Sequence, residues 1–396
     1  MKRHILIISQ YFPPDITAAA FRIGSLSDYL LSNDFKVTVL TSTPHKTNHQ
    51  TPNQAAESPA EDLTILRVNI KSSSYILQYL SFVIRGFFKI LPRVLRHRID
   101  TIFATSPPLS VFSLGFILSL IKRAPLIMDI RDLWPDTPVA LGKMKDKSLV
   151  YRFFKRYEAF MYRKAHWITC VSTPMKDRII KHSPANVSVV YNGIPERDTV
   201  SLPPPSAPRL QEGNPVNVYY YGNIGLAQGL DILMDAAPLV NRRIQFHLVG
   251  EGALKQTFSH TINERDLTNI SIQNPMPKRE LVQLVDREAH ILLINLEDHP
   301  VFHRTIPSKL FDYLLHCLPV VYGIRGEGAD ILERTQAAVR FEPHSAESLA
   351  NALDTVVSQY DTLIGNARAN NPGIAAHFTR EKNYKKLLKI VQNSFS

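Results

Sequence analysis

The sequence predicts an α/β protein of two Rossmann-like halves, each built on a parallel sheet, and three observations carry that expectation. The chain has 396 residues, too many for one ordinary domain and a natural length for two. Short β-branched runs alternate with longer helical patterns along most of it, as parallel strands joined by helical crossovers require. The alternation stops once, over residues 196–214, where Pro203-Pro204-Pro205 and Pro208 lie among small and polar residues and favour a polyproline-like linker. The expected organisation is a first domain over 1–195, the linker, a second domain over 215–375, and a C-terminal helix over 376–396 able to pack back on the first domain.

Taken in order, Met1 to Gln10 imitates a signal peptide, but its apolar run is short and no small-residue cleavage site follows, so it reads as a first strand, Ile5–Ser9. Phe21, Leu26 and Leu30 lie at helical spacing between Ala18 and Leu31. Further strands follow at Lys36–Leu40, Leu63–Val68, Thr101–Ala104, Leu126–Asp129, Trp167–Val171 and Val187–Tyr191. The apolar segment from Tyr75 to Leu91 is interrupted by Arg85 and Lys89, and Leu109 to Ile121 is too short, so neither is expected to span a bilayer. From Val83 to Arg96 a helical wheel places Val83, Phe87, Ile90 and Val94 on one side and Arg85, Lys89, Arg93 and Arg96 on the other, with Pro92 expected to kink the helix. That pattern fits a helix on an anionic membrane surface and equally a core-facing helix with a solvated basic face. The second series runs through Val216–Tyr221, Ile244–Val249, Ile270–Ile272, Ile291–Asn295, Val320–Tyr322 and Ala338–Phe341.

Composition narrows the function classes. With 44% hydrophobic and 20% charged residues the chain can bury two cores. Lys and Arg total 46 against 35 acidic residues, a formal charge of +11, which favours an anionic partner: nucleic acid, acidic lipid or a phosphorylated substrate. No nucleic-acid module supports the first. The two cysteines, Cys170 and Cys317, form no disulfide framework or metal spacing, which suits a reducing cytoplasm. His299 and His303 flank Phe302 beside Glu297 and Asp298, but Pro300 argues for a loop, so no metal site is expected. The G-x-G-x-x-G of dinucleotide folds is missing, and no nucleophile elbow or activated cysteine is present.

In open parallel sheets ligands bind beyond the carboxyl ends of the strands, so the loops there hold the candidates. Ser308 is placed to cap a helix that opens with Lys309 and carries Asp312 one turn on, next to the helix N-terminus, a setting that suits a phosphate with a polyol beside it. Alone, the same residues also describe a surface Lys and Asp on an ordinary helix. The loop Tyr221-Gly222-Asn223-Ile224-Gly225 runs on to Gln228-Gly229 and a helix, where the glycines either let the backbone approach phosphate oxygens or only make tight turns. Val249-Gly250-Glu251-Gly252 and Asn274-Pro275-Met276-Pro277, before Lys278, are turns at the ends of neighbouring strands. Their convergence on one sheet edge points to a single nucleotide pocket. In the first half, Asp15 and Thr17 precede a helix, and Asp129-Ile130-Arg131-Asp132-Leu133-Trp134-Pro135-Asp136 packs three carboxylates, an Arg and a Trp into one loop. Paired acids and an Arg there suit a proton and a developing charge during group transfer.

Seven ordered segments together resemble the family 4 glycosyltransferases of the GT-B fold. They are Ser9-Gln10-Tyr11-Phe12-Pro13-Pro14, Ala104-Thr105-Ser106-Pro107-Pro108-Leu109, Asp129 to Pro135, Tyr191-Asn192-Gly193-Ile194-Pro195, Tyr221 to Gly225, Val249 to Gly252 and Pro307-Ser308-Lys309-Leu310-Phe311-Asp312-Tyr313. The resemblance extends to the branch that assembles bacterial surface polysaccharides and includes N-acetyl-L-fucosamine transferases. It implies two Rossmann-like domains facing a cleft, and transfer from a nucleotide-sugar donor, UDP-linked, with retention of configuration and with no cofactor and no metal. The implied acceptor is a lipid-diphosphate-linked saccharide at the cytoplasmic face of the inner membrane, which the basic residues near 85–96 would contact; no nucleic acid is involved. Asp312 would serve the ribose, and Lys309 with the Gly222–Gly225 loop the diphosphate, with Ser308, Gly250 and Met276 in the same donor site. Asp132, Arg131 and Asp15 are the candidates for the catalytic end.

The chain departs from the family at several of these points. Arg304 stands where many relatives carry a Glu eight positions before Asp312, and Asp312 itself replaces a Glu. Asn223 and Gln228 stand where an Arg and a Lys often follow the glycine, leaving the diphosphate to Lys309 with Arg304 as a helper. Arg131-Asp132 stands where relatives have a His, and Cys317 where a helix-capping glycine is usual. Two rival readings follow: a UDP-sugar epimerase on the same fold, or a non-catalytic assembly protein with a decayed site.

Overall fold

Among the described residues the β-branched runs become thirteen parallel strands in two sheets. The computed structural model describes residues 2–15, 17–44, 61–70, 75–195 and 208–394. The expected linker therefore lies outside the described residues as far as 207, and 208–214 forms neither helix nor strand. By contact the chain separates into two units, residues 1–192 with 381–396, and residues 193–380.

In the first unit the strands are β1 (Arg3–Ile8), β2 (Phe35–Ser42), β3 (Leu63–Val68), β4 (Thr101–Thr105), β5 (Leu126–Ile130), β6 (Trp167–Cys170) and β7 (Asn186–Val189). Their order in the sheet is β3-β2-β1-β4-β5-β6-β7, so the chain moves outward from β1 and returns to pair β4 beside it. That reversal opens a crevice at the carboxyl ends of β1 and β4. One face of the sheet is covered by the helix Ala18–Leu31, which buries Ile23, Leu26 and Leu30. Its N-cap, Thr17, accepts from the Ala20 amide, and the last helix, Arg380–Asn393, adds Tyr384, Leu387, Ile390 and Val391 to the same core.

A charged pair lies inside this unit. Arg22 and Asp129 are 1% and 0% exposed and meet at 3.1 Å. Desolvating both ions is costly, and the cost is offset by further bonds: Thr105 and Thr169 hydroxyls donate to the carboxylate, and the guanidinium donates to the Val190 and Tyr191 carbonyls.

The helix Tyr75–Arg96 runs through Pro92. It buries Phe82, Gly86, Ile90 and Val94, while Val83 and Phe87 are half-buried. The expected basic face is only partly solvated: Arg93 turns back to donate to the Thr64 hydroxyl at 2.7 Å, whereas Lys89 and Arg96 are exposed.

The second unit holds β8 (Val216–Asn223), β9 (Ile244–Glu251), β10 (Ile270–Gln273), β11 (Ile291–Asn295), β12 (Val320–Gly323) and β13 (Ala338–Arg340), in the order β10-β9-β8-β11-β12-β13. The same reversal recurs between β8 and β11. Glycine is required where β8 and β9 end: a Cβ on Gly250 would stand 1.8 Å from the Gly222 carbonyl oxygen, and Gly222 itself has φ +123°.

Candidate functional site

The carboxyl end of β8 and the helix Lys309–His316 meet at one cation. Gly222 brings the backbone so close to this helix that a Cβ there would lie 3.5 Å from Lys309 Nζ. On the other side the ammonium stands over the Tyr220 ring, 3.5 Å from its centroid. Nζ is buried and has no hydrogen-bond partner, although the residue's stem is partly exposed. Burial pushes its pKa well below the usual lysine range, and no charged neighbour contributes to that shift. An ammonium removed from water without an acid beside it is suited to receive an anion.

The helix itself differs from the expectation at its first residue. Ser308 occupies the N-cap position but has helical angles, φ −58° and ψ −29°, and its hydroxyl makes no capping bond. A cap needs extended angles to swing its oxygen back onto the helix amides, so the first-turn N–H groups are not occupied by this side chain. Asp312 lies one turn on, partly exposed, 3.5 Å from Lys278 Nζ at the start of the helix Lys278–Glu288. Met276, half-buried, sits in the turn just before that helix.

The loop after Gly222 closes on itself. Gln228 Oε1 accepts from both the Gly225 amide at 3.1 Å and Asn223 Nδ2 at 3.0 Å. It leads only into a single 3-10 turn, Leu226–Gln228, and then the five-residue helix Ile232–Ala236, instead of the longer helix expected. Arg304 lies on the turn Phe302–Arg304 and donates to the Pro300 carbonyl at 3.1 Å. Nearby, Asp298 binds His303 at 2.6 Å and Arg325 at 3.0 Å, Glu297 lies 3.5 Å from His344, and His299 Nδ1 accepts from the Val301 amide at 3.2 Å.

The loop with three carboxylates sorts into structural and available groups. Asp129 is committed to Arg22, as described above. Asp136 is held by Lys155 at 2.9 Å, by Arg178 and by the Tyr151 hydroxyl; burial works against its charge, but these cations outweigh it and lower its pKa. The expectation of paired acids thus reduces to Asp132. Its carboxylate accepts from the Thr137 hydroxyl at 2.6 Å, and burial still raises its pKa above the ordinary aspartate value. Arg131 Nη2 reaches Asn192 Oδ1 at 3.3 Å, and Asp15 is buried just before the Ala18–Leu31 helix. These three lie in the first unit, and the donor candidates in the second.

Sequence reasoning missed two contributors. Tyr220 was legible only as one of three tyrosines in a strand. His316, two turns after Lys309, links the Tyr221 hydroxyl at 3.0 Å to Asp286 at 2.6 Å and so ties the helix to β8 and to a neighbouring helix.

Comparison with known proteins agrees with this geometry. Residues 19–197 match Glycosyltransferase Family 4, and residues 215–359 match Glycosyl transferases group 1. The probable glycosyltransferase WbjE of Pseudomonas aeruginosa is 24% identical over 260 residues, 63% of this chain but only 62% of WbjE. The putative colanic acid biosynthesis glycosyl transferase WcaI of Escherichia coli is 25% identical over 331 residues, 78% of this chain and 80% of WcaI. The crystal structure of Anabaena HepE in complex with UDP and glucose is 15% identical, with a TM-score of 0.71 over 99% of this chain and 100% of HepE, a likeness of fold. With both parallel sheets in place, the chain joins a Glycosyltransferase Family 4 region over 19–197 to a Glycosyl transferases group 1 region over 215–359, on the two-domain α/β fold of GT-B structures.

Proposed function

We propose that the protein transfers a sugar, N-acetylfucosamine-like or another hexose, from a UDP-linked donor to a lipid-diphosphate-linked saccharide in bacterial O-antigen or capsule synthesis, with retention and without a metal. The carrying observation is the Lys309 ammonium, buried beside Gly222 on the Tyr220 ring with no hydrogen-bond partner. Positive charge fixed in a low-dielectric site stabilises a leaving diphosphate with no reorganisation at the moment of bond breaking. Asp312 would accept from the ribose hydroxyls once released from Lys278. In the first unit, Asp132, with its raised pKa, is the candidate to take a proton from the acceptor hydroxyl, and Arg131 and Asp15 to orient it.

Relatives support the substrate classes: HepE was solved with UDP and glucose, and WcaI is a putative colanic acid biosynthesis glycosyl transferase. For the lipid-linked acceptor, the support is a row of exposed apolar residues on the helix Tyr75–Arg96, namely Leu77, Leu80, Ile84, Phe88 and Leu95, beside exposed Lys89 and Arg96. Such a row fits the interface of an anionic membrane. No described helix is long and apolar enough to cross one.

A thermal-shift panel of UDP- and GDP-sugars tests the donor. A UDP-sugar should raise the Tm of the wild type and leave Lys309→Ala unmoved, with the unliganded variant still folded. A wild type that no nucleotide-sugar shifts would overturn the reading.

A further inference from the structure

Tyr220 touches both parts of the anion site. Its ring lies under Lys309 Nζ at 3.5 Å from the centroid, and its hydroxyl donates to the Asn223 carbonyl at 2.6 Å, in the loop that covers the same ammonium. The side chain is 1% exposed, so both contacts are held by packing.

The groups around Lys309 leave its charge uncompensated. On its own helix, Asp312 is turned to Lys278, and His316 is engaged with Asp286 and Tyr221. Tyr313, on the following residue of that helix, donates to the Leu293 carbonyl of β11. From the helix Tyr360–Ala375, packed alongside, Arg368 acts on Cys317 at the far end. On β8 the ammonium meets the Tyr220 ring and Gly222. A carboxylate in place of the ring would hold the cation too, but it would occupy the N–H donors and compete with an incoming anion. An aromatic face attracts an ammonium through its quadrupole and leaves all three donors open.

We propose that Tyr220 is a positioning residue for donor binding: its ring seats Lys309 as an ammonium without a counter-ion, and its hydroxyl sets the Gly222–Asn223 loop over it. The inference rests on the nucleotide-sugar reading above, in which a diphosphate supplies the negative charge. Ring and hydroxyl have separate consequences. Losing the ring destabilises the charged lysine, so diphosphate affinity should fail at a lower pH. Losing only the hydroxyl loosens the loop and should weaken affinity without moving its pH dependence.

Calorimetric titration with UDP, from about pH 6 to about pH 10, separates the two. Tyr220→Phe should bind a few-fold more weakly at every pH, with the alkaline loss of affinity where the wild type shows it. Tyr220→Leu should bind about tenfold more weakly at neutral pH, with that loss moved down by about one pH unit. If Tyr220→Leu does not fold, Tyr220→Met takes its place, since a thioether fills the slot without a π face. An unchanged alkaline limb in the ring-less variant, or equal displacement in Phe and Leu, overturns the proposal while the donor reading stands. A wild type that does not bind UDP overturns both.

Discussion

Lys309 illustrates how a binding residue can oppose stability. Its ammonium is desolvated and unpaired in the folded protein, while in the unfolded chain it is hydrated. Lys309→Met keeps the length and removes the charge, and should stabilise the second unit by about 1–3 kcal/mol at neutral pH while abolishing the donor-induced Tm shift. The sign of the pH effect follows from the depressed folded pKa. Between that value and the ordinary 10.5, the unfolded chain binds more protons, so the wild type gains stability as pH rises through the window and Lys309→Met does not. Denaturant melts of both proteins at neutral and alkaline pH check it; parallel curves would refute the assignment. At this scale the sequence disclosed Lys309 and Asp312 through a helix start with a cation and an acid one turn apart. It did not disclose Tyr220, because three successive tyrosines in a strand alternate faces, and which face meets the helix depends on β11 lying next to β8. It also overstated the acids near Asp132, since Arg22 and Arg178, the partners of Asp129 and Asp136, come from distant segments.

Among the elements, strands were the most legible. Each expected strand is present with its ends moved by at most two residues, because a β-branched run bounded by turn residues has few other uses. Strand order was not legible, since lateral pairing joins residues far apart in sequence. Helix ends show a different limit. The Lys309–His316 helix ends at Cys317 as its pattern suggests, yet Cys317 adopts φ 49° and ψ 40°, a left-handed conformation that suits glycine. Its side chain is meanwhile buried with Ala337 and Ala367. Cys317→Gly should therefore be nearly neutral, relieving about 1 kcal/mol of backbone strain and losing a comparable amount of packing. Cys317→Val should cost about 2 kcal/mol or more, because a β-branched residue is poorly tolerated there. Equilibrium unfolding of the two variants distinguishes these outcomes, and a strongly destabilised glycine variant would show that thiol packing dominates.

For the molecule as a whole, the sequence's +11 charge and its expected basic helix left membrane and solvent faces equivalent. The structure adds the exposed row from Leu77 to Leu95, invisible to a wheel that sorted the helix into one apolar and one basic side. Replacing Ile84 and Phe88 together by serine should weaken co-sedimentation with anionic vesicles about tenfold, since both are about half exposed or more and contribute little to the core. The Tm should stay within a few degrees. Equal sedimentation of the two proteins would assign the row to something other than lipid.

The division of the chain into units also sets an order of assembly. Residues 193–380 form one unbroken unit, whereas the first unit takes Tyr384, Leu387, Ile390 and Val391 from the last helix. As the chain leaves the ribosome, the half that begins first must wait, its apolar sheet face incomplete, until the half that begins second has already been made. A chain cut after Arg380 would thus keep the later-made half whole and leave the core of the earlier-made half, under the helix Ala18–Leu31, without Tyr384, Leu387, Ile390 and Val391.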